Sequence, residues 1–347
     1  MLVAYRFLIA LGIFSVWPLA WGGAGDASLG EKLFFDQRLS GGGEIACASC
    51  HQVEKAFQDG RAKAVGSFER VGSRNTPSLL NVSYQQSLFW DGRRVGLAAQ
   101  ALDPLLNHRE HAMGSASALA SKIRSLQDYR TLTAPERATG KKPNDAEILL
   151  RVSQALAAFE STITDGESRF DRFMYAKDKA ALTDAARRGW LLFSGRAQCI
   201  ACHQVGPTAP ALFTDHDFHV LPITLNRIQD HLPQLVTRFM SAKALNANVG
   251  QTLLSDDDMA ELGRFAVTEN PADIGKFKTP SLRNVALTAP YMHDGSVATL
   301  AQAVDLEIYY RGTQDGRPLV ITPIEREDLI AFLEALTGDK ALGKKQP

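Results

Sequence analysis

Cys47-Ala48-Ser49-Cys50-His51 and Cys199-Ile200-Ala201-Cys202-His203 are the stretches from which this chain is read. Together they use all four cysteines of the 347-residue sequence. In such a box two thiols can bond the vinyl groups of one porphyrin while the adjacent imidazole reaches the iron. A zinc site would ask for two more ligands of the same kind close by. The boxes instead lie far apart, and each carries its own His. They predict two covalent c-type haems, one on Cys47 and Cys50 and one on Cys199 and Cys202, with His51 and His203 as iron ligands. A periplasmic chain with four cysteines would otherwise suggest disulfides, and the boxes override that reading.

The N-terminus agrees with this chemistry. Arg6 is followed by an apolar run from Phe7 to Leu19, broken only by Gly12, Ser15 and Pro18, and then by small residues at Ala20, Gly22, Gly23 and Ala24. This predicts a Sec-type signal peptide over residues 1–24; the run is short for a spanning helix. Haem is joined to apocytochrome c outside the bacterial cytoplasm, so the expected location is the periplasm. No other segment is apolar enough to span a bilayer, so the mature chain is expected to have no membrane span. The 38 acidic and 38 basic residues balance, which points to no nucleic-acid partner. About 320 residues remain after cleavage, enough for two domains.

An internal repeat lies outside the boxes. Asn75-Thr-Pro-Ser-Leu-Leu-Asn-Val-Ser-Tyr-Gln-Gln-Ser-Leu-Phe-Trp-Asp-Gly92 aligns without gaps with Lys278-Thr-Pro-Ser-Leu-Arg-Asn-Val-Ala-Leu-Thr-Ala-Pro-Tyr-Met-His-Asp-Gly295. Each copy follows a box, so each half reads as one haem domain. The second half has about 50 more residues between box and repeat, and Trp90 of the first copy aligns with His293 of the second. Apolar residues at Ile148, Leu149, Val152, Leu156 and Phe159 predict a helix within Asn144 to Thr164. Ala181 to Ser194 reads as a helix stopped by Gly195, and Thr322-Pro323-Ile324-Glu325 as a capping box whose helix closes at Gly338. Gln204 to Gly250 has weak patterning and is expected to wrap the second haem as loops and short helices. The fold expected is all-α: two cytochrome c-like haem domains related by duplication, at residues 25–175 and 176–347.

The chain resembles the bacterial dihaem cytochrome c peroxidases, which include the MauG-type enzymes. The resemblance rests on Leu33-Phe-Phe-Asp-Gln-Arg-Leu-Ser40, Phe57-Gln-Asp-Gly60, Asn75-Thr-Pro77, Phe89-Trp-Asp-Gly-Arg93 and Phe277 to Val285 running on to Pro290-Tyr-Met-His-Asp-Gly295. It implies a peroxidatic N-terminal haem and an electron-transfer C-terminal haem. It implies that Trp90 carries charge between the haems and that Glu110 is the distal-pocket acid, with Gln100 and Pro104 as neighbours. A carboxylate there would move the peroxide proton; His108 and His111 are rival bases. Asn75, Thr288 and Pro290 match positions where the family binds one calcium ion, an oxygen-liganded hard cation.

Two departures bear on the subtype. Many members of the family carry a His on the loop after the first box, where this chain has Ser67. Cytochrome c peroxidases also place a Met opposite the second proximal His, yet no Met follows Met292. The helix Asp305-Leu-Glu-Ile-Tyr-Tyr-Arg-Gly312 offers oxygen ligands instead. Tyr309 is the expected ligand, with Glu307 and Tyr310 as alternatives. The resemblance then implies a MauG-type enzyme: hydrogen peroxide yields a high-valent, bis-ferryl-like state that oxidises a Trp or Tyr of a periplasmic partner protein. The alternatives are a peroxide-detoxifying enzyme fed by a small cytochrome or copper protein, and a non-enzymatic dihaem electron carrier. Trp190 reads as core packing rather than as a surface relay.

Overall fold

The computed structural model describes residues 24–136, 139–245, 248–314, 319–339 and 341. The segment read as a signal peptide lies outside them but for Ala24. Among the described residues the helices of eleven or more residues are α1 (Ala24–Phe34), α2 (Asp145–Glu160), α3 (Asp184–Ser194), α4 (Leu232–Leu245), α5 (Leu300–Gln314) and α6 (Pro323–Glu334). Their starts are written in local chemistry. Asn144 and Glu147 form a reciprocal capping box on α2, and Thr322 and Glu325 form one on α6. The Thr183 side chain caps α3. Helix α6 ends at Ala335 rather than at Gly338, whose N–H instead donates to Asn284 Oδ1 at 2.8 Å.

Two helix pairs frame the molecule by the same device. A Cβ on Gly30 of α1 would lie 1.9 Å from the Ala155 carbonyl oxygen of α2, and one on Gly189 of α3 would lie 1.9 Å from that of Asp328 on α6. Only glycine lets the paired backbones touch at these points. The first pair packs into a core that includes Leu33, Phe34, Ile148, Val152 and Leu156. The second packs around Phe170, Phe193, Phe213, Leu329 and Phe332. Trp190 is half-buried against Phe170, Phe193 and Phe332, as the packing reading required.

The repeat is visible as backbone geometry. Asn81 and Asn284 both adopt φ 60°, and Gly92 and Gly295 adopt φ 67° and 66°. Ser78 Oγ donates to Ala56 O and Ser281 Oγ to Leu212 O, each at 2.6 Å. The connecting segment is tied to both copies. Asp165 O accepts from Asn81 Nδ2 at 2.9 Å and from Arg283 Nε at 3.0 Å, and Arg283 also forms a buried 2.6 Å ion pair with Asp171. Removing one partner of such a pair costs about 3–5 kcal/mol, because the other charge stays buried.

Two expectations change. The fold is largely helical, but strands β1 (Phe218–Val220) and β2 (Lys276–Lys278) pair antiparallel, with Phe218 opposite Lys278. Three-residue strands are too short to leave an alternation signal. The extra segment of the second half wraps the second box only over Gln204 to Asp217, irregular chain that brings the Phe213 carbonyl to His203. Between β1 and β2 it builds a core of its own from Ile228, Leu235, Phe239, Leu253, Met259, Leu262 and Phe265. It also reaches the first half: Arg109 pairs with Asp257, Lys63 with Asp257, and Arg264 donates to the carbonyls of Asp91 and Gly92.

Candidate active site

Each box is a single helical turn followed by a His whose ring is held by a distant carbonyl. His51 Nδ1 donates to Phe57 O at 3.0 Å and His203 Nδ1 to Phe213 O at 2.9 Å. Phe57 and Phe213 have φ 59° and 57°, and this left-handed turn aims each carbonyl back at its ring. Engaging Nδ1 selects the tautomer in which Nε2 is the coordinating nitrogen. Burial pushes His51 below its ordinary pKa, so it is the neutral base a metal requires. Burial pushes the Cys50 thiol up to about 12 and raises Cys47 as well. That is the reverse of a thiolate zinc ligand or a redox thiol.

One cavity of about 840 Å³ is lined by both boxes, with His51 and His203, and by Trp90. Its walls are mostly apolar, and its donor set is two thiols and one imidazole per box. These residues fit two thioether-linked haems.

On the first side the cavity is also lined by Gln100, Pro104, Glu110, His111, Arg93 and Glu160. Asn107 Nδ2 donates to Glu110 Oε1 at 2.8 Å. Burial holds the Glu110 carboxyl above its ordinary pKa, against the pull of Arg93 and Asn107. His111 Nδ1 donates to Leu39 O at 3.0 Å, and burial pushes its pKa down to about 4. His108 is exposed and does not line the cavity. Ser67 is buried outside the cavity lining, behind Glu110; its N–H donates to Glu110 O and its Oγ to His111 O. Trp90 Nε1 donates to Asn75 O at 3.0 Å. Arg93 and Asn107 were not singled out from the sequence, although the spacing Asn107-x-x-Glu110 and the Trp-Asp-Gly-Arg stretch carried them. Glu160 lies at the end of α2, and burial raises its carboxyl to about 8.

On the second side the ligand expectation is corrected. Tyr309 is 65% exposed and does not line the cavity, whereas Glu307 and Tyr310 both do. The reason is helical phase. Leu300, Ala303, Val304, Glu307 and Ile308 recur at three- and four-residue steps along one face of α5, and Tyr310 lies three residues beyond Glu307; Tyr309 turns away. Asn75, Thr288 and Pro290 all line the same cavity. Asn75 Nδ2 donates to Arg61 O at 2.9 Å, and Gln58 Nε2 ties the neighbouring Leu287 and Ala289 carbonyls. His293 is fully buried, stacked on Phe277, with Nε2 2.9 Å from Oε2 of Glu261 in the inserted segment.

The paired boxes and shared cavity define a dihaem c-type oxidoreductase. A family model described as di-haem cytochrome c peroxidase matches residues 24–179. Over 336 residues the chain is 36% identical to cytochrome-c peroxidase IdrP1 of Denitromonas iodatirespirans, covering 93% of this chain and 84% of that one. It is 32% identical to the methylamine utilization protein MauG of Methylophilus methylotrophus over 324 residues, 90% of this chain and 82% of that one. The diheme peroxidase BthA of Burkholderia thailandensis superposes with a TM-score of 0.72 at 26% identity, covering 93% and 88% of the two chains. A MauG-like protein associated with microbial copper homeostasis gives 0.67 at 30% identity, covering 92% and 91%. The chain belongs to the dihaem cytochrome c peroxidase family and is a haem peroxidase; the non-enzymatic carrier is set aside. Family membership implies two c-type haems and hydrogen peroxide as oxidant. Among the described residues no helix is long and apolar enough to cross a membrane.

Proposed function

We propose that this is an exported, periplasmic peroxidase of the MauG type, which uses hydrogen peroxide to oxidise a Trp or Tyr side chain of a partner protein. Its two haem units, residues 25–175 and 176–347, are read as products of duplication, with residues 1–24 as the signal peptide. Cys47 and Cys50 would hold the first haem with His51 as its iron ligand, and Cys199, Cys202 and His203 would do the same for the second. When bound, the haems supply the iron that meets peroxide and the store of oxidising equivalents.

The protein residues set what happens around them. Glu110, fixed at Oε1 by Asn107, takes the peroxide proton and returns it to the leaving oxygen. Gln100 and Pro104 shape the space beside it. Trp90 lines the cavity that both boxes share, its indole N–H anchored on Asn75 O, and passes charge from one side to the other. Asn75, Thr288 and Pro290 would hold a calcium ion at this junction, through oxygen donors. Helix α5 would offer an oxygen donor to the second haem, from Glu307 or Tyr310.

The observation that carries the subtype is the cavity face of α5, which presents Glu307 and Tyr310 and no thioether. An anionic oxygen stabilises oxidised iron where Met favours reduced iron. Ser67, buried behind Glu110 instead of reaching the cavity, would offer the first haem no ligand that prior reduction has to release. The test is stopped-flow mixing of the fully oxidised protein with peroxide, without reductant. Spectral change at both haems within one mixing event is expected. A reaction that appears only after one-electron reduction would instead favour the detoxifying peroxidase fed by a small cytochrome or copper protein, the reading the cytochrome-c peroxidase relatives support.

A further inference from the structure

The two copies of the repeat meet each other. The Asn75 N–H donates to His293 O at 2.9 Å, and the Lys278 N–H donates to Trp90 O at 2.8 Å. In the gapless alignment Asn75 corresponds to Lys278 and Trp90 to His293. This is therefore one bond made twice, with the copies exchanged. Such exchange marks a face that pairs with itself about an approximate twofold axis. Each position of the repeat on one side of the axis then has a counterpart on the other.

The calcium candidates can be carried across that axis. Asn75 maps to Lys278, Thr288 to Gln85 and Pro290 to Ser87. The structure places these three counterparts in direct contact: Lys278 Nζ donates to Ser87 O at 2.7 Å and to Gln85 Oε1 at 3.1 Å. Burial pushes the Lys278 ammonium down to about 8, with Asp91 pulling the other way, so it remains a cation at neutral pH. An oxygen-lined position of this kind suits either a hard metal ion or a lysine head with three donors.

We infer that Lys278 is a built-in cation: its ammonium fills the symmetry counterpart of the calcium position, so the junction has two cation positions and only one takes an exchangeable ion. This rests on the calcium reading of Asn75, Thr288 and Pro290. Trp90 lies between the two positions. Its indole N–H is held by the Asn75 carbonyl, and its own carbonyl is held by Lys278 N–H. Lys278 is thus a positioning residue for Trp90, matched across the axis by a bound ion.

The test is calcium stoichiometry, measured by elemental analysis of the dihaem protein after equilibration in calcium-containing buffer and gel filtration, for wild type, Lys278→Asn and the reciprocal Asn75→Lys. The expected counts per chain are one, two and zero. Melting of Lys278→Asn should gain a dependence on millimolar calcium, and melting of Asn75→Lys should ignore a chelator. A count in Lys278→Asn no higher than in wild type overturns the inference. A wild type with none and a Lys278→Asn protein with one would refute the calcium reading at Asn75 while leaving Lys278 as the built-in cation. Should Lys278→Asn fail to fold, Asn75→Lys decides: retained calcium or retained chelator sensitivity overturns the inference.

Discussion

The two haem-box regions use one set of local devices and differ in what lies above them. In both, a carbonyl from a left-handed Phe holds the proximal ring, a glycine lets two helices touch, and an Asn at φ 60° turns the chain after Thr-Pro-Ser-Leu. Above the first box stand Glu110, Gln100, Pro104 and His111, with Ser67 buried outside the lining. Above the second stands one face of α5, carrying Glu307 and Tyr310. The copies part again at the junction, where the Trp90 indole donates to Asn75 O and the His293 ring is held by Glu261. The lesson is that holding a haem is a local task that can be copied, whereas choosing its reactivity depends on elements brought from elsewhere in the chain.

The largest expected effect breaks the contrast above the first box. Glu110→Gln is nearly isosteric and should leave both haems in place while slowing the peroxide reaction by roughly 10²-fold, the scale of a lost acid–base group. Stopped-flow rates check this; an unchanged rate would move the role to His111, which also lines the cavity. In the unsubstituted protein the pH profile has a defined sign. A base works only when deprotonated, and burial raises the Glu110 pKa. The rate should therefore fall on acidification, and at a higher pH than an ordinary glutamate would give.

A smaller effect is expected where the copies diverge. Trp90→Phe keeps the aromatic bulk but is much harder to oxidise. Peroxide should still be consumed at the first haem, while the second haem no longer shares the oxidation and partner turnover drops by about tenfold or more, the scale of a kilocalorie-sized barrier. Full turnover in this variant would make Trp90 a packing residue.

The smallest effect is spectroscopic and sharpens the second side. Either Glu307→Gln or Tyr310→Phe should convert the low-spin signal of the second haem to a five-coordinate or water-ligated one in electron paramagnetic resonance. Tyr309→Phe should leave it unchanged, because Tyr309 faces solvent. Loss of the signal in Tyr309→Phe would mean that α5 rotates when haem binds.

Much of the fold was legible in advance because its signals are local. The capping boxes at Asn144 and Thr322, the period of α2 and the two copies of Thr-Pro-Ser-Leu each act over a few residues. The short β1–β2 ribbon was not legible, because three residues carry no period. The independent core between the strands was missed because α4 and the short helices around it carry individually weak patterns; only their mutual packing makes them a unit. Among site residues, the boxes, Trp90 and Glu110 were readable from motif and spacing, whereas Arg93, Asn107 and Glu160 became apparent only as neighbours in space.

By itself, the sequence determined the chemistry that can be attached: four thiols, two imidazoles, an acid, an indole, and a helix with Glu307, Tyr309 and Tyr310 in near succession. Covalent attachment and helix initiation depend on bonds and contacts within one turn of chain, which a linear string specifies. Only the tertiary structure decided which of those three oxygens faces the cavity, that Ser67 lies behind Glu110, and that Lys278 meets Gln85 and Ser87 nearly two hundred positions away. Helix phase relative to a neighbouring wall, and the pairing of two distant copies about an axis, are set by packing the whole chain at once.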